Sequence, residues 1–277
     1  MAQAGVAPKI LPTDAAGHAT ALAREAVALG ADLVLVLGGD GTINEAANGL
    51  VSSGVPLGVL PAGTANVLAM ELCLGSRLRS ALDLLPSYAP RRIAAGRLIT
   101  GREKRYFLCM AGAGLDAKIV TQVDPELKDR AGKLAYWAAG LSQFPEHLEQ
   151  LEIRVRGNVY QCGFALISRV RNYGGDLEIA RGASLDCDDF EIVLFEGSHP
   201  LRYAAYMVGV GLRQVQKMPG VRTVRSSCAE ILTSAHLQID GEYAGSHRAR
   251  VEIAPGALTL LMPPPREARA SDRLRYG

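Results

Sequence analysis

Two short glycine-rich stretches carry the residue types that hold phosphate. The first, Gly38-Gly39-Asp40-Gly41-Thr42-Ile43-Asn44-Glu45, lies between an apolar run and a helix-patterned segment. Glycines let a backbone approach an anion closely, and the N-terminus of the following helix aims free N–H groups at it. Asp40 stands at a strand's carboxyl end, where open α/β sheets bind ligands. There it either holds a divalent metal on nucleotide phosphates or caps a helix. The second stretch, Pro61-Ala62-Gly63-Thr64-Ala65-Asn66, repeats the arrangement one βα unit later. It adds the Thr64 hydroxyl to that of Thr42, unless Thr64 serves only as a helix cap. Neither stretch is GxxxxGK[ST] or GxGxxG, which excludes a P-loop ATPase and a standard dinucleotide binder. The pair suits a nucleoside triphosphate. Near the end of the chain, Asp240-Gly241 sits between apolar runs and reads as a hairpin turn. The five histidines are scattered without ligand spacing, so no zinc site is expected.

These residues need a scaffold, and the apolar pattern supplies one. Ala19, Leu22, Ala23, Ala26 and Leu29 mark one face of a helix over 15–29, with Asp14 as N-cap and Gly30 as C′ residue. Leu33 to Leu37 is a continuous apolar run, as in a parallel strand buried on both faces. A helix over 42–52, a strand over 56–60 and a helix over 66–74 complete a βαβα alternation, which argues for a doubly wound parallel sheet. Near Pro90 the texture changes. Short β-like runs follow at 91–99, 105–110, 151–155, 159–168, 190–195, 221–226, 236–239, 251–253 and 257–261, the pattern of an antiparallel sandwich. Helical stretches interrupt it at about 127–151 and 200–216. The expected division is an α/β nucleotide-binding domain over 1–90 and a β-sandwich domain over 91–277, whose last residues return to the first.

Composition bounds the rest. A chain of 277 residues has room for about two domains. Its 48% apolar content excludes a disordered protein, and a formal charge of +2 gives no electrostatic case for nucleic acid. Five cysteines, odd in number and without a CxxC pair, suit a reducing, cytoplasmic compartment. No secretory leader and no run of about 18 apolar residues is visible.

GGDGTINEAANGL followed by PLGVLPAGTANVLAMEL resembles the diacylglycerol kinase catalytic domain of bacterial soluble lipid kinases, shared with sphingosine and ceramide kinases. The resemblance continues through Thr13-Asp14-Ala15-Ala16-Gly17-His18-Ala19, Gly132-Lys133-Leu134-Ala135-Tyr136, Asn172-Tyr173-Gly174-Gly175 and Asp240-Gly241-Glu242. It implies an ATP- and Mg2+-dependent lipid kinase, with the nucleotide between two lobes and a lipid alcohol such as diacylglycerol as acceptor. Gly38, Gly39, Asp40, Gly41, Thr42, Thr64 and Thr13 would contact the nucleotide, while Asn44 and Glu45 would order the loop. Glu242 would be the general base, with Asp240 beside it; a positioned carboxylate can take the proton of a hydroxyl that is a poor nucleophile near neutral pH. A homodimer is a further implication, and the sequence by itself leaves the oligomeric state open.

Two departures from the family pattern stand out. The family's metal-binding Asp-Gly pair in the β lobe is replaced by Ala183-Ser184-Leu185-Asp186-Cys187-Asp188-Asp189, leaving Asp186 or Asp188 as the candidate ligand. The family also begins with a strand, an Asn-Pro-x-x-Gly turn and a helix. This sequence opens near what looks like the following strand, Val6 to Leu11. Absence of that first unit would open a sheet edge and weaken ATP binding.

Leu134, Trp137, Leu141 and Phe144, beside Lys128, Arg130 and Lys133, fit either a helix packed on the β lobe or one lying peripherally on the inner membrane surface. Tyr203, Tyr206, Met207 and Val210, beside Arg202, allow the same two readings; packing is favoured for both. Two other functions compete. NAD kinases share GGDGT, although PAGTAN and the late DGE argue against them. A catalytically impaired homologue that binds lipid or regulates is the non-enzymatic alternative.

Overall fold

The computed structural model describes residues 8–101, 103–122, 148–174 and 177–264. The α/β lobe comprises α1 (His18–Ala28), β1 (Val34–Gly38), α2 (Asp40–Leu50), β2 (Leu57–Pro61), α3 (Val67–Glu71) and α4 (Leu78–Leu84). β1 and β2 run parallel, in register from Val34 opposite Leu57 to Gly38 opposite Pro61. Ala19 and Ala23 of α1 pack with Ile43, Ala46, Ala47 and Leu50 of α2 in the core, the stripe that their helical spacing predicts.

Three local expectations are corrected here. Asp14 does not cap α1. The N-cap is Gly17, in the left-handed region at φ 82°. Glu45 of α2 takes over the capping, accepting from the backbone N–H of Gly17 at 2.6 Å and of Ala19 at 3.2 Å. Residues 8–11 form no strand, because Pro8 and Pro12 bracket them and offer no ladder donors. Nor is β1 buried on both faces. It pairs only with β2 among the described residues, and Leu33 and Leu37 at its ends are 41% and 56% exposed.

The second lobe holds β3 (Ala89–Thr100), β4 (Glu103–Phe107), β5 (Met110–Gly114), α5 (Leu115–Gln122), β6 (Leu151–Val155), β7 (Asn158–Cys162), β8 (Phe164–Ser168), β9 (Asn172–Tyr173), β10 (Leu177–Glu178), β11 (Phe190–Phe195), α6 (Pro200–Gly211), β12 (Val221–Ser226), β13 (Cys228–Ile239) and β14 (Glu242–Met262). The hydrogen-bonded order is β1-β2-β14-β13-β5-β8-β11-β12, with β3 on β14 and β4 on β3, and with β6 on β13 and β7 on β6. All pairings in the second lobe are antiparallel, whereas β14 meets β2 in parallel where Leu260 faces Leu57. The architecture is thus a parallel α/β unit joined to an antiparallel β-sandwich.

Several expected strands divide or merge for identifiable reasons. The run 105–110 breaks at Leu108 and Cys109, whose N–H groups serve a side chain rather than the ladder. The run 159–168 breaks at Gly163, which donates to the carbonyl of Phe195. Conversely, 251–253 and 257–261 belong to one long strand, with a register shift between Ala254 and Leu258 that spans Pro255-Gly256. The helix expected over 200–216 ends at Gly211, and only a 3₁₀ turn, Val215–Lys217, follows. Of the helix expected over 127–151, residues 127–147 lie outside the described residues; 148–150 are not helical and Leu151 opens β6.

β11 shows how the core is built. Phe190, Ile192 and Leu194 face the interior of the sandwich, while Val193 and Phe195 join the layer beneath α6. The period of two sorts one strand between two buried layers. Tyr203, Tyr206 and Val210 of α6 are buried in that second layer, the packing role favoured for them.

Candidate active site

The two glycine corners lie back to back. A Cβ on Gly63 would come within 2.5 Å of the Gly39 Cα, and one on Gly39 within 3.3 Å of the Gly63 Cα. Only unsubstituted backbone fits such an approach. Asn66, at φ 47°, closes the second corner: its Oδ1 accepts from the Gly63 N–H at 2.8 Å and its Nδ2 donates to the Gly63 carbonyl at 2.6 Å.

Asp40 does cap a helix, but not its own. Its two carboxylate oxygens accept from the N–H groups of Val67 (3.1 Å) and Leu68 (3.2 Å), the first turn of α3. The loop between β1 and α2 thereby positions the helix after β2. Each Asp40 oxygen retains a further lone pair. α2 itself has Gly39 as N-cap and no side chain bonded to its first turn. Thr42 packs against Gly38, Thr64 is exposed at the second corner, and Thr13 lies in the exposed segment ahead of α1.

Glu242 arrives from the other lobe. A Cβ on Gly41 would sit 2.6 Å from Glu242 Oε1, so the carboxylate lies directly over the first corner. Glu242 Oε2 pairs with Arg105 Nη2 of β4 at 3.1 Å. Asp240 and Gly241, at φ 47° and 88°, form the turn between β13 and β14, with Ile239 opposite Glu242. Positive φ at both central residues is the requirement of a two-residue hairpin. The hairpin reading holds, and the turn places Glu242 over the first corner.

Asp240 faces inward. Its Oδ2 accepts from Leu108 N–H and Asn44 Nδ2, both at 2.8 Å; its Oδ1 accepts from Cys109 and Met110 N–H, both at 2.9 Å. Burial outweighs these donors and pushes the carboxyl up to about 6. Asp240 thus ties α2, the start of β5 and the hairpin to one point. On the far side, the Gly241 N–H donates to Gln238 Oε1 at 2.9 Å and Gln238 Nε2 donates to buried Asp116 Oδ2 at 2.8 Å. The Tyr173 hydroxyl donates to the other Asp116 oxygen. The Tyr173 ring also lines a small apolar cavity of about 20 Å³ with Phe164, Leu177, Phe195, Tyr206 and Met207.

Asn44 and Glu45, expected to order the glycine loop, instead bond to Asp240 and the Tyr106 carbonyl and to the backbone at the start of α1, and sequence reasoning missed Arg105, Asp116 and Gln238. Arg105 and Gln238 sit in strands whose alternation marks only faces, and nothing local in the sequence shows what a side chain meets across a lobe boundary. The Asn172-Tyr173 motif was noticed, but its partner lies 57 residues away.

The acidic loop is held by ion pairs of its own. Asp186 Oδ1 pairs with Arg91 Nη1 at 3.1 Å, Asp189 is held by Arg225 at 2.9 and 2.5 Å, and Asp188 is exposed. Among the described residues, no group of three or more His, Cys, Asp or Glu side chains is arranged to hold a metal. No helix among them is long and apolar enough to cross a membrane. Lys128, Arg130, Lys133, Leu134, Trp137, Leu141 and Phe144 lie outside the described residues.

Comparison with known proteins agrees with this arrangement of lobes. Residues 1–98 match the diacylglycerol kinase catalytic domain, and residues 109–262 match the YegS C-terminal NAD kinase beta sandwich-like domain. The second of these matches spans more than half of the chain, which belongs to the family with the YegS C-terminal NAD kinase beta sandwich-like domain. A diacylglycerol kinase of Staphylococcus aureus (strain bovine RF122 / ET3-1) is 28% identical over 252 residues, covering 88% of this chain and 78% of that protein. The diacylglycerol kinase of strain JH9 is 27% identical over the same span. A crystal structure of a diacylglycerol kinase from Bacillus anthracis str. Sterne shares the fold at a TM-score of 0.73 and 22% identity, over 92% of this chain and 85% of that one.

Proposed function

We propose that this chain is an ATP-dependent lipid kinase that phosphorylates the hydroxyl of a lipid alcohol such as diacylglycerol. One observation carries the reading: the Glu242 carboxylate, delivered by the hairpin of the β lobe, lies against Gly41 in the glycine corner of the other lobe. A base and a phosphate cradle from separate lobes then share one site, as phosphoryl transfer to an alcohol requires.

The residues divide the work. Gly38, Gly39, Gly41 and Gly63 leave bare backbone at adjoining strand ends, and the first turn of α2 presents N–H groups that no side chain occupies. The remaining lone pairs of Asp40 fit a metal ion carried on nucleotide phosphates. ATP, when bound, supplies the γ-phosphoryl group, and Mg2+ neutralises its charge. Glu242 accepts the proton of the acceptor hydroxyl, and Arg105 holds that carboxylate in place. Asp240 acts as a positioning residue, since all four of its hydrogen bonds go to protein donors.

Transfer from labelled ATP to a panel of lipid alcohols tests the reading. Glu242→Ala should lower kcat about 10²-fold or more with little change in stability. Gly41→Val, which fills the space beneath the carboxylate, should abolish transfer. Undiminished transfer in both variants would refute the site, and transfer to NAD but to no lipid would refute the substrate class.

A further inference from the structure

We propose that the Asp186–Asp189 loop carries its own cation: the Arg169 guanidinium stands where the family resemblance implies a divalent metal, and the loop binds none. The proposal concerns the β lobe alone and does not depend on the activity proposed above.

Several of the loop's oxygens are already engaged. The carbonyls of Leu185 and Cys187 accept from Arg169 Nη2 and Nη1, both at 3.2 Å. Asp186 is paired with Arg91, and Asp189 makes a two-pronged pair with Arg225. Asp188 alone keeps its carboxylate free of such a pairing, and it points to solvent. A hard divalent cation takes about six oxygen ligands, and where waters supply several of them it still relies on one or two carboxylates with carbonyls beside them. Here one unpaired carboxylate remains, and the carbonyls on either side of Asp186 already hold Arg169.

Charge gives the same answer. Arg91, Arg169 and Arg225 stand against Asp186, Asp188 and Asp189, with Glu191 beside Arg225, so most of the local negative charge is already matched by fixed cations. Arg169 is 0% exposed, and its Nε has no partner. A buried guanidinium persists only where anions and carbonyls surround it, and here Asp188 and Asp189 supply the charge. The planar fork of arginine bridges two main-chain carbonyls at once, which a lysine ammonium does in a less defined geometry. An entering metal ion would have to displace that fork and leave it buried and unpaired. The substitution of a fixed side-chain cation for an exchangeable ion makes this loop indifferent to chelators.

Mn2+ titration of the nucleotide-free full chain, read by electron paramagnetic resonance, and thermal unfolding in EDTA or in Mg2+ test the proposal. The expected results are equal melting temperatures in EDTA and Mg2+, and no Mn2+ site that Asp188→Asn removes. Mn2+ binding that survives Asp188→Asn lies elsewhere and leaves the loop metal-free. Arg169→Met should lower the melting temperature by roughly 5 °C, with Arg169→Lys between it and the parent. Mn2+ binding abolished by Asp188→Asn would overturn the proposal, and so would an Arg169→Met protein as stable as the parent. Should Arg169→Met fail to fold, the Mn2+ titration of the parent and Asp188→Asn chains still decides.

Discussion

At Asp240 a carboxylate is bound by four donors and yet holds its proton up to about pH 6, because loss of water outweighs the hydrogen bonds gained. An unfolded aspartate titrates near 3.9. Between about pH 4 and 6 the native state therefore binds a proton that the unfolded chain has released. The sign follows: the contribution of this group to stability falls as pH rises through that window, by about 3 kcal/mol in all. Asp240→Asn removes the titration, but its amide nitrogen confronts backbone N–H donors. We expect the variant to be less stable at pH 7 by about 2 kcal/mol, with a flatter profile from pH 4 to 6. Urea unfolding at a series of pH values checks this, and parallel profiles for parent and variant would contradict it. The hairpin that carries Glu242 is thus held by an ionisable group whose cost is borne by the rest of the fold.

Elements position the site by lending parts to one another. Asp40 begins α2 but caps α3, and Glu45 of α2 caps α1, so three helices are registered by two carboxylates. The same logic explains the paired glycine corners, which must touch for the strand ends to share a crevice. Gly63→Ala would push a methyl group to 2.5 Å from the Gly39 Cα, and a backbone neighbour cannot rotate aside. A loss of about 1–3 kcal/mol is expected, together with weaker ATP binding, read by denaturant unfolding and by calorimetric titration of ATP. An unchanged variant would mean that the corners separate freely in solution.

At the scale of the molecule, β14 makes the two lobes one structure. It begins with Glu242 at the site, pairs with β13 and β3, and ends in parallel against β2 of the α/β lobe. One of the two core layers likewise runs from Ala19 and Leu50 through Leu260 to Phe195 and Tyr206. The lobes should therefore unfold in a single transition, with calorimetric and van't Hoff enthalpies that agree. Two resolved transitions would show that the return strand does not couple them.

Much of this was legible in the residues themselves, and the reason is that it was local. The glycine corners, the parallel β1 and β2, the apolar face of α1 and the Asp-Gly hairpin each follow from short-range rules of periodicity and left-handed backbone. What the sequence could not express was partnership across long separations. By residue type Asp40 offers a metal ligand or a cap of its own helix, and only the fold shows that the helix it caps is α3. By residue type Asp186 and Asp188 offer metal ligands, and only the fold sets Arg91 and Arg169, distant in the chain, against that loop. A pattern of side chains determines which face is buried and where the chain turns. Which charge meets which is decided only when strands far apart in sequence share a sheet.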